Sequence, residues 1–440
     1  MKLAGNFSAF VKALAGNTAR LNDVGALGSS NLTLVLGNES ADLDSMVSSL
    51  TLAYALSAQK SSSNNVVPIM NANRSDMTLR QDCQVLLQTT LVAEGGKGIE
   101  DLTFIDDIDL RTVINKYTVA DSEDSKSSLD VWLVDHNAPS SRQSFLDPYV
   151  RGIVDHHLDE GKCQGAAWRE IETIGSCTTL VAAKIRALDS PPDPALARLL
   201  LAPILLDTAN FNPASQRATA KDKECYNWLV PLVKWAPHST ESVSAESNNG
   251  SDMEISGEGQ LLQVSSAQEL YKTLDKLKGS VKHLSSADLL RKDYKQWQVT
   301  DGVGKVWTVG ISSITYRIQK WLKRDGVAEI ESALQKWIAS QGLDVALVMT
   351  HGKARPQKGQ PKVYGRDLTV AFSQPTVSGL QESLLIDLLS ASEALELQPL
   401  RIGDLQSDID RSRLCFFVQT RLASSRKQVF PAVKHAIESM

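Results

Sequence analysis

Carboxylates and imidazoles gather at four places in the first half of this chain, each just past an apolar run. The first is Gly37-Asn38-Glu39-Ser40-Ala41-Asp42-Leu43-Asp44-Ser45, following Asn31–Leu36. The second, Asp135-His136-Asn137, follows Leu129–Val134, and the third, Asp155-His156-His157, follows Gly152–Val154. The fourth is Asp207-Thr208, after the apolar stretch Ala195–Leu206. Aspartate and imidazole together suit hard-to-borderline divalent cations such as magnesium, manganese or cobalt, rather than a thiolate-bound zinc. Two such cations about 3.5–4 Å apart need one carboxylate that bridges them and others that hold one each. Taken singly, an Asp after a strand is commonly a turn or cap, and Asp42 and Asp44 could be first-turn helix carboxylates. Recurrence in series at element ends favours a shared site.

The elements needed to bring these segments together are legible as alternating strands and helices. Asn31–Leu36, Leu102–Ile105, Leu129–Val134 and Gly152–Val154 read as buried parallel strands, being continuous apolar runs that end in polar residues. Helices are expected from about Ser45 to Gln59, from Ser176 (a plausible N-cap) to Leu188, and over Ala195–Leu206. The class is α/β with an open, mainly parallel sheet, in which loops beyond the carboxyl ends of strands converge on a ligand. The polar, acidic stretch of residues 237–265 reads as a linker or insertion between a first domain (1–236) and a smaller α/β second domain (266–440). The second set comprises a helix over Ala267–Leu284 and strands at Val306–Ile311, Leu343–Met349, Leu368–Phe372 and Cys415–Thr420.

Length and composition agree with two globular domains: 440 residues, 42% apolar and 22% charged. No apolar run approaches the roughly 20 residues that span a bilayer. The basic, acid-free start of the chain weakly resembles a mitochondrial transit peptide. Phe7, Phe10, Val11 and Leu14 at helical spacing are better explained by a packed first helix, so a cytoplasmic protein is expected. Five cysteines without a CxxC pair point to buried, reduced thiols. Net charge is −5, but from Leu284 onward 21 basic residues face 16 acidic ones, against 25 and 35 in the remainder. An acidic half suits cations and a basic half suits phosphate.

The four segments, in order, resemble the four motifs of the DHH phosphoesterase superfamily. The second half resembles the DHH-associated domain of the branch that holds family II pyrophosphatases, prune-like proteins and eukaryotic cytosolic exopolyphosphatases. Ser424-Ser425-Arg426-Lys427-Gln428 is similar to its Ser-Arg-Lys phosphate motif, and Asp293-Tyr294-Lys295-Gln296-Trp297 to its other lysine-bearing stretch. The resemblance implies two divalent cations, with Asp135 bridging them, Asp42 holding one, and Asp44, His156 and Asp207 holding the other. It implies that His157 reaches substrate phosphate, that Asp155 orients a histidine, and that Lys295, Arg426 and Lys427 clamp phosphate oxygens from the second domain. Pyrophosphatases carry histidine where this chain has Asn38, a poorer ligand, whereas exopolyphosphatases and prune-like proteins have asparagine there.

The expected activity is hydrolysis of the terminal phosphoanhydride bond of inorganic polyphosphate; His351, Lys353 and Arg355 read first as solvated surface charges, with an extension of the phosphate track as the alternative. Three alternatives stay open. One is a prune-like or pyrophosphatase-like hydrolase of short polyphosphates, pyrophosphate or nucleotide esters. Another is a DHH nuclease, against which stand the missing Gly-Gly-Gly-His segment and the lack of an aromatic-basic stacking stripe; no nucleic-acid partner is expected. The last is a non-enzymatic scaffold, against which stands the intact acidic set.

Overall fold

The computed structural model describes residues 6–23, 31–59, 65–119, 129–188, 190–237, 264–354, 361–373, 380–400 and 414–440. The chain divides into two compact units, Met1–Lys278 and Gly279–Met440.

The first unit is built on six strands: β1 (Leu32–Leu36), β2 (Asn65–Met70), β3 (Thr103–Phe104), β4 (Leu129–Val134), β5 (Val150–Asp155) and β6 (Trp168–Ile171). They lie in the order β3-β2-β1-β4-β5-β6, all parallel. The chain winds outward from β1 through β2 to β3, then returns to the other side of β1 as β4. The carboxyl ends of β1 and β4 are therefore the switch point where open α/β sheets bind ligands. Strand β1 is buried throughout because helices cover both faces of the sheet. Val35, Val134 and Val154 point into a core formed with α1 (Phe7–Leu14), α3 (Leu43–Gln59), α4 (Gln81–Ala93), α6 (Cys177–Arg186) and α7 (Pro194–Asp207). Leu34, Leu36, Leu133 and Ile153 face the opposite core, with α2 (Asn17–Asn22) and α5 (Leu110–Val119). The four apolar residues expected on the first helix are all buried in α1. Helix α8 (Ala220–Leu229) completes the α6 side.

Helix α9 (Ala267–Lys278) corrects two expectations. It stops at Lys278 rather than Leu284, and it packs on α4 and α7 with Leu270 and Leu274 in the first core. The second unit thus starts at Gly279 rather than 266, because the apolar stripe of α9 finds its partner in the first unit. Most of the expected linker, residues 238–263, lies outside the described residues. One cysteine expectation is also corrected. Cys83, Cys177, Cys225 and Cys415 are buried free thiols, but Cys163 is only half-buried. Among the described residues no helix is long and apolar enough to cross a membrane.

The second unit comprises α10 (Ser286–Lys292), β7 (Tyr294–Thr300), β8 (Val306–Ile314), α11 (Ile318–Gln341), β9 (Val345–Ala354), β10 (Val363–Phe372), α12 (Leu380–Ser390), β11 (Leu397–Pro399), β12 (Leu414–Gln419) and α13 (Arg426–Glu438). Its sheet runs β11-β12-β10-β9-β8-β7, antiparallel except for β8 against β9. Val309, Leu347, Val370 and Phe417 of the sheet and Val429 and Val433 of α13 share its core.

Candidate metal centre

The loop after β1 is shaped by contact with α3. A Cβ on Gly37 would fall 2.5 Å from Ser45 Oγ and 3.2 Å from the Ser45 carbonyl, so no larger residue fits there. Asn38 N–H donates to Ser45 Oγ at 2.7 Å, and Asn38 Oδ1 accepts from Ala41 N at 3.0 Å. Asp42 caps α3, accepting from Ser45 N at 3.2 Å. The capping reading of Asp42 is therefore true and leaves its outer oxygen available.

Asp44 caps a different helix. Its carboxylate is buried and accepts from Cys177 N at 2.7 Å, Thr178 N at 2.8 Å, Ser176 Oγ at 2.9 Å and Thr178 Oγ1 at 2.6 Å. Ser176 occupies the N-cap position of α6 as expected, but its hydroxyl donates to Asp44 instead of capping the helix. The orphan amides at the start of α6 turn to a full negative charge, the better acceptor. On the far side Asp222 plays a similar part, accepting from Gly175 N at 2.9 Å, Thr179 Oγ1 at 2.7 Å and Thr219 Oγ1 at 2.7 Å.

Asp135 leaves β4 with φ +64°, a left-handed conformation that Asp and Asn tolerate best. This turn brings the carboxylate inward, 2% exposed, where Asn38 Nδ2 donates to Oδ2 at 2.7 Å. His156 Nε2 lies 3.2 Å from Asp135 Oδ1 and 3.8 Å from Asp44 Oδ2. Its Nδ1 is 3.1 Å from the Ile174 carbonyl. A proton on Nδ1 satisfies that carbonyl and leaves the Nε2 lone pair for a cation, the usual arrangement of a ligating histidine. His157 Nδ1 is 2.8 Å from Asp155 Oδ1 and 3.8 Å from Asp135 Oδ1. Asp155, fully buried, also accepts from His156 N at 2.8 Å and Asn137 Nδ2 at 2.6 Å, so the second and third segments are locked to each other.

Too little positive charge balances this cluster. Burial and the neighbouring Asp44 push the Asp135 carboxyl from 3.8 up to about 8. Burial, with Asp44 and Asp42, holds Asp207 well above the carboxylate range. Burial pulls His156 down, but contact with Asp135 and the charge of Asp44 carry it up to about 10. Asp135 Oδ1 and Asp207 Oδ2 are buried without a hydrogen-bond partner. Asp135, His156 and His157 offer ligand atoms within 4.8 Å of one another. Orphaned carboxylate oxygens, one of them beside two imidazoles, among acids whose pKa values are raised by burial and by one another, fit divalent cations.

Asn38, Asp42, Asp44, Asp135, Asp155, His156, His157 and Asp207 are thus gathered in the first unit. Lys295, Arg426 and Lys427 belong to the second. Lys295 lies exposed at the start of β7. Arg426 opens α13 and is ion-paired with Asp293. The side chain of Lys427 lies outside the described residues. His351 is on β9, paired in register with Arg366, while Arg355 lies outside the described residues. Sequence reasoning missed Lys278. It ends α9 within electrostatic range of Asp42 and Asp207, and their charges raise its ammonium pKa against the opposing effect of burial. Assigning α9 to the first core from its apolar stripe would have found it. It also missed Asn71, which donates to the Gly37 carbonyl at 2.8 Å and pairs with Gln143 beneath the loop.

Comparison with known proteins adds two matches to family models: the DHH family N-terminal domain over residues 33–204 and the DHHA2 domain over 272–436. A Schizosaccharomyces pombe protein named "Putative exopolyphosphatase" is 28% identical over 425 residues, covering 93% of this chain and 92% of that one. Exopolyphosphatase PRUNE1 of Rattus norvegicus is 26% identical over 412 residues, covering 93% of this chain and 76% of its own length. A crystal structure titled as a Methanococcus jannaschii "putative family II inorganic pyrophosphatase" aligns at TM-score 0.46 with 18% identity, over 92% of this chain and 99% of that one.

Proposed function

The chain belongs to the DHH superfamily, and from that membership we propose that it is a metal-dependent hydrolase of the terminal phosphoanhydride bond of inorganic polyphosphate, releasing orthophosphate. One observation carries the reading: Asp135 Oδ1, 3.2 Å from His156 Nε2, and Asp207 Oδ2 are both buried without a hydrogen-bond partner. Such oxygens are costly to bury unless a cation meets them.

Asp42, Asp44, Asp135, His156 and Asp207 would hold two divalent cations, magnesium, manganese or cobalt, with Asp135 as the shared ligand. When bound, the cations supply an acidified water and positive charge for phosphoryl oxygens. Asn38 keeps the Asp135 carboxylate fixed from the Oδ2 side. Asp155 holds His157 through Nδ1, and this hydrogen bond raises the histidine pKa. With its side chain 56% exposed, His157 can present an Nε2–H to a phosphate oxygen. Lys295, Arg426 and Lys427 bind phosphate oxygens and stabilise charge on the departing shortened chain. For Arg426, substrate replaces the Asp293 carboxylate as its partner.

The test is phosphate release by the purified full chain from long-chain polyphosphate, tripolyphosphate, pyrophosphate and cyclic nucleotides in parallel. The reading predicts the highest kcat/KM on polyphosphates. Faster turnover of pyrophosphate or of cyclic nucleotides would transfer the assignment to the pyrophosphatase-like or nucleotide-esterase alternative.

A further inference from the structure

Four lysines of the second unit stand together without an acidic partner among the described residues. Lys320 lies in the first turn of α11, Lys353 on β9, Lys362 just before β10, and Lys282 between α9 and α10; all are exposed. Lys320 Nζ donates to the Lys353 carbonyl at 3.0 Å. Lys362 precedes the cross-strand pair Val363–Ala354, next to Tyr364–Lys353, so it stands beside the same hairpin end. The Lys282 carbonyl accepts from Arg324 Nη1 at 2.8 Å, one helical turn beyond Lys320. Lys362, Lys282 and Arg317 add to burial in depressing the Lys320 ammonium, the mark of like charges held close. None of the four lysines has a carboxylate partner among the described residues.

The scaffold beneath them is rigid. Gly352 and Gly365 face each other across the hairpin, and a Cβ on Gly365 would fall 2.0 Å from Arg317 Nη1. The glycine pair leaves a slot that the Arg317 guanidinium fills, reaching Asp367 through bonds of 2.7 and 2.9 Å. Arg317 and Arg324 are neutralised by Asp367 and Asp325, whereas the lysines above them are not. Pinning α11 to the hairpin in this way keeps the ammonium groups together against their mutual repulsion.

The cluster also shares one rim of the sheet with the proposed phosphate residues. The start of β7, the ends of β8, β9 and β12, and the start of β10 all lie at that rim. It therefore carries Lys295, Lys353, Lys362 and Arg366, whose Nε donates to the Leu422 carbonyl in the turn leading to Arg426.

We propose that Lys282, Lys320, Lys353 and Lys362 form a docking site for the distal part of a long inorganic polyphosphate chain, beyond the phosphates that react. This rests on the polyphosphatase reading. A linear polyanion with one charge per phosphate matches a row of ammonium groups that offers no base-stacking platform, so single-stranded nucleic acid is the lesser fit.

The test uses the full chain with Lys320→Glu/Lys362→Glu and, as a milder pair, Lys320→Gln/Lys362→Gln. KM for long-chain polyphosphate should rise about tenfold in the Glu pair and by less in the Gln pair, and the salt dependence of binding should weaken by roughly two charge equivalents, one per lysine removed. Tripolyphosphate, which has no distal chain beyond the phosphates that react, should keep its kcat/KM. An equal loss on both substrates, or no loss on either, overturns the site. Anisotropy of end-labelled long-chain polyphosphate reads binding without turnover. If the wild type hydrolyses no polyphosphate, the functional reading fails, yet weaker binding by the variants would still support the site. An oligonucleotide of equal charge that binds more tightly, and loses affinity in the same variants, would overturn the assignment of the ligand.

Discussion

Replacing Asp135 with Asn should abolish activity and at the same time stabilise the metal-free protein. Asp135 is 2% exposed, and burial among Asp44 and Asp42 raises its pKa from 3.8 to about 8. An acid whose native pKa exceeds its unfolded one binds more protons when folded. Its favourable contribution is complete below the unfolded pKa of 3.8 and is lost as pH rises toward about 8. A rise of about 4 units sets an upper bound near 6 kcal/mol at 1.36 kcal/mol per unit. Relaxation and water entry reduce such penalties severalfold, which leaves about 2 kcal/mol. Asparagine suits the site otherwise. It tolerates the φ of +64°, its oxygen can accept from Asn38 Nδ2, and its amide can donate to His156 Nε2. In chelator-treated protein at pH 8, Asp135→Asn should therefore melt about 4–8 °C above wild type, a gap that shrinks toward pH 5. Phosphate release with added manganese should fall at least about a thousandfold, because both cations lose their shared ligand. A metal-free variant less stable than wild type at pH 8, or turnover within tenfold of wild type, would refute the reasoning.

Asp155→Asn removes the carboxylate charge that helps raise His157, so the alkaline limb of the kcat profile should move to lower pH; an unmoved limb means His157 does not act as a protonated donor. Arg426→Ala and Lys427→Ala should each lower kcat/KM on polyphosphate by roughly 10- to 150-fold, the value of a charge-assisted hydrogen bond, with calorimetric metal binding unchanged. Lys278→Met removes a positive charge near Asp42 and Asp207, and manganese affinity should rise up to about fivefold; superimposable titrations would place the ammonium away from the cations.

Strands β1, β4 and β5 were legible because they are apolar runs that lead into Asn or Asp, whereas β6, reading Trp-Arg-Glu-Ile, has no such pattern. What escaped depends on contacts between distant segments. Asp44 reaches Cys177 and Thr178 across more than 130 residues, so its capping of α6 leaves no local trace, and Ser176 sits at the N-cap without its side chain doing the capping. Strand β2 contains Pro68, a residue that central strands disfavour, which hid it from pattern reading. The polar run before α9 looked like a domain boundary, and only tertiary packing returned that helix, with Lys278, to the first core. The left-handed turn at Asp135 is a backbone property that Asp permits but does not announce.

The most direct measurement combines cation binding and turnover on one chelator-stripped preparation. Manganese is titrated in by calorimetry while phosphate release from long-chain polyphosphate is followed at each step. The account predicts two cations bound per chain, with protons released as Asp135 and His156 give up those they hold above neutral pH, and turnover that appears only as both sites fill. Undiminished phosphate release in excess chelator, or full occupancy by manganese with no release at all, would contradict it.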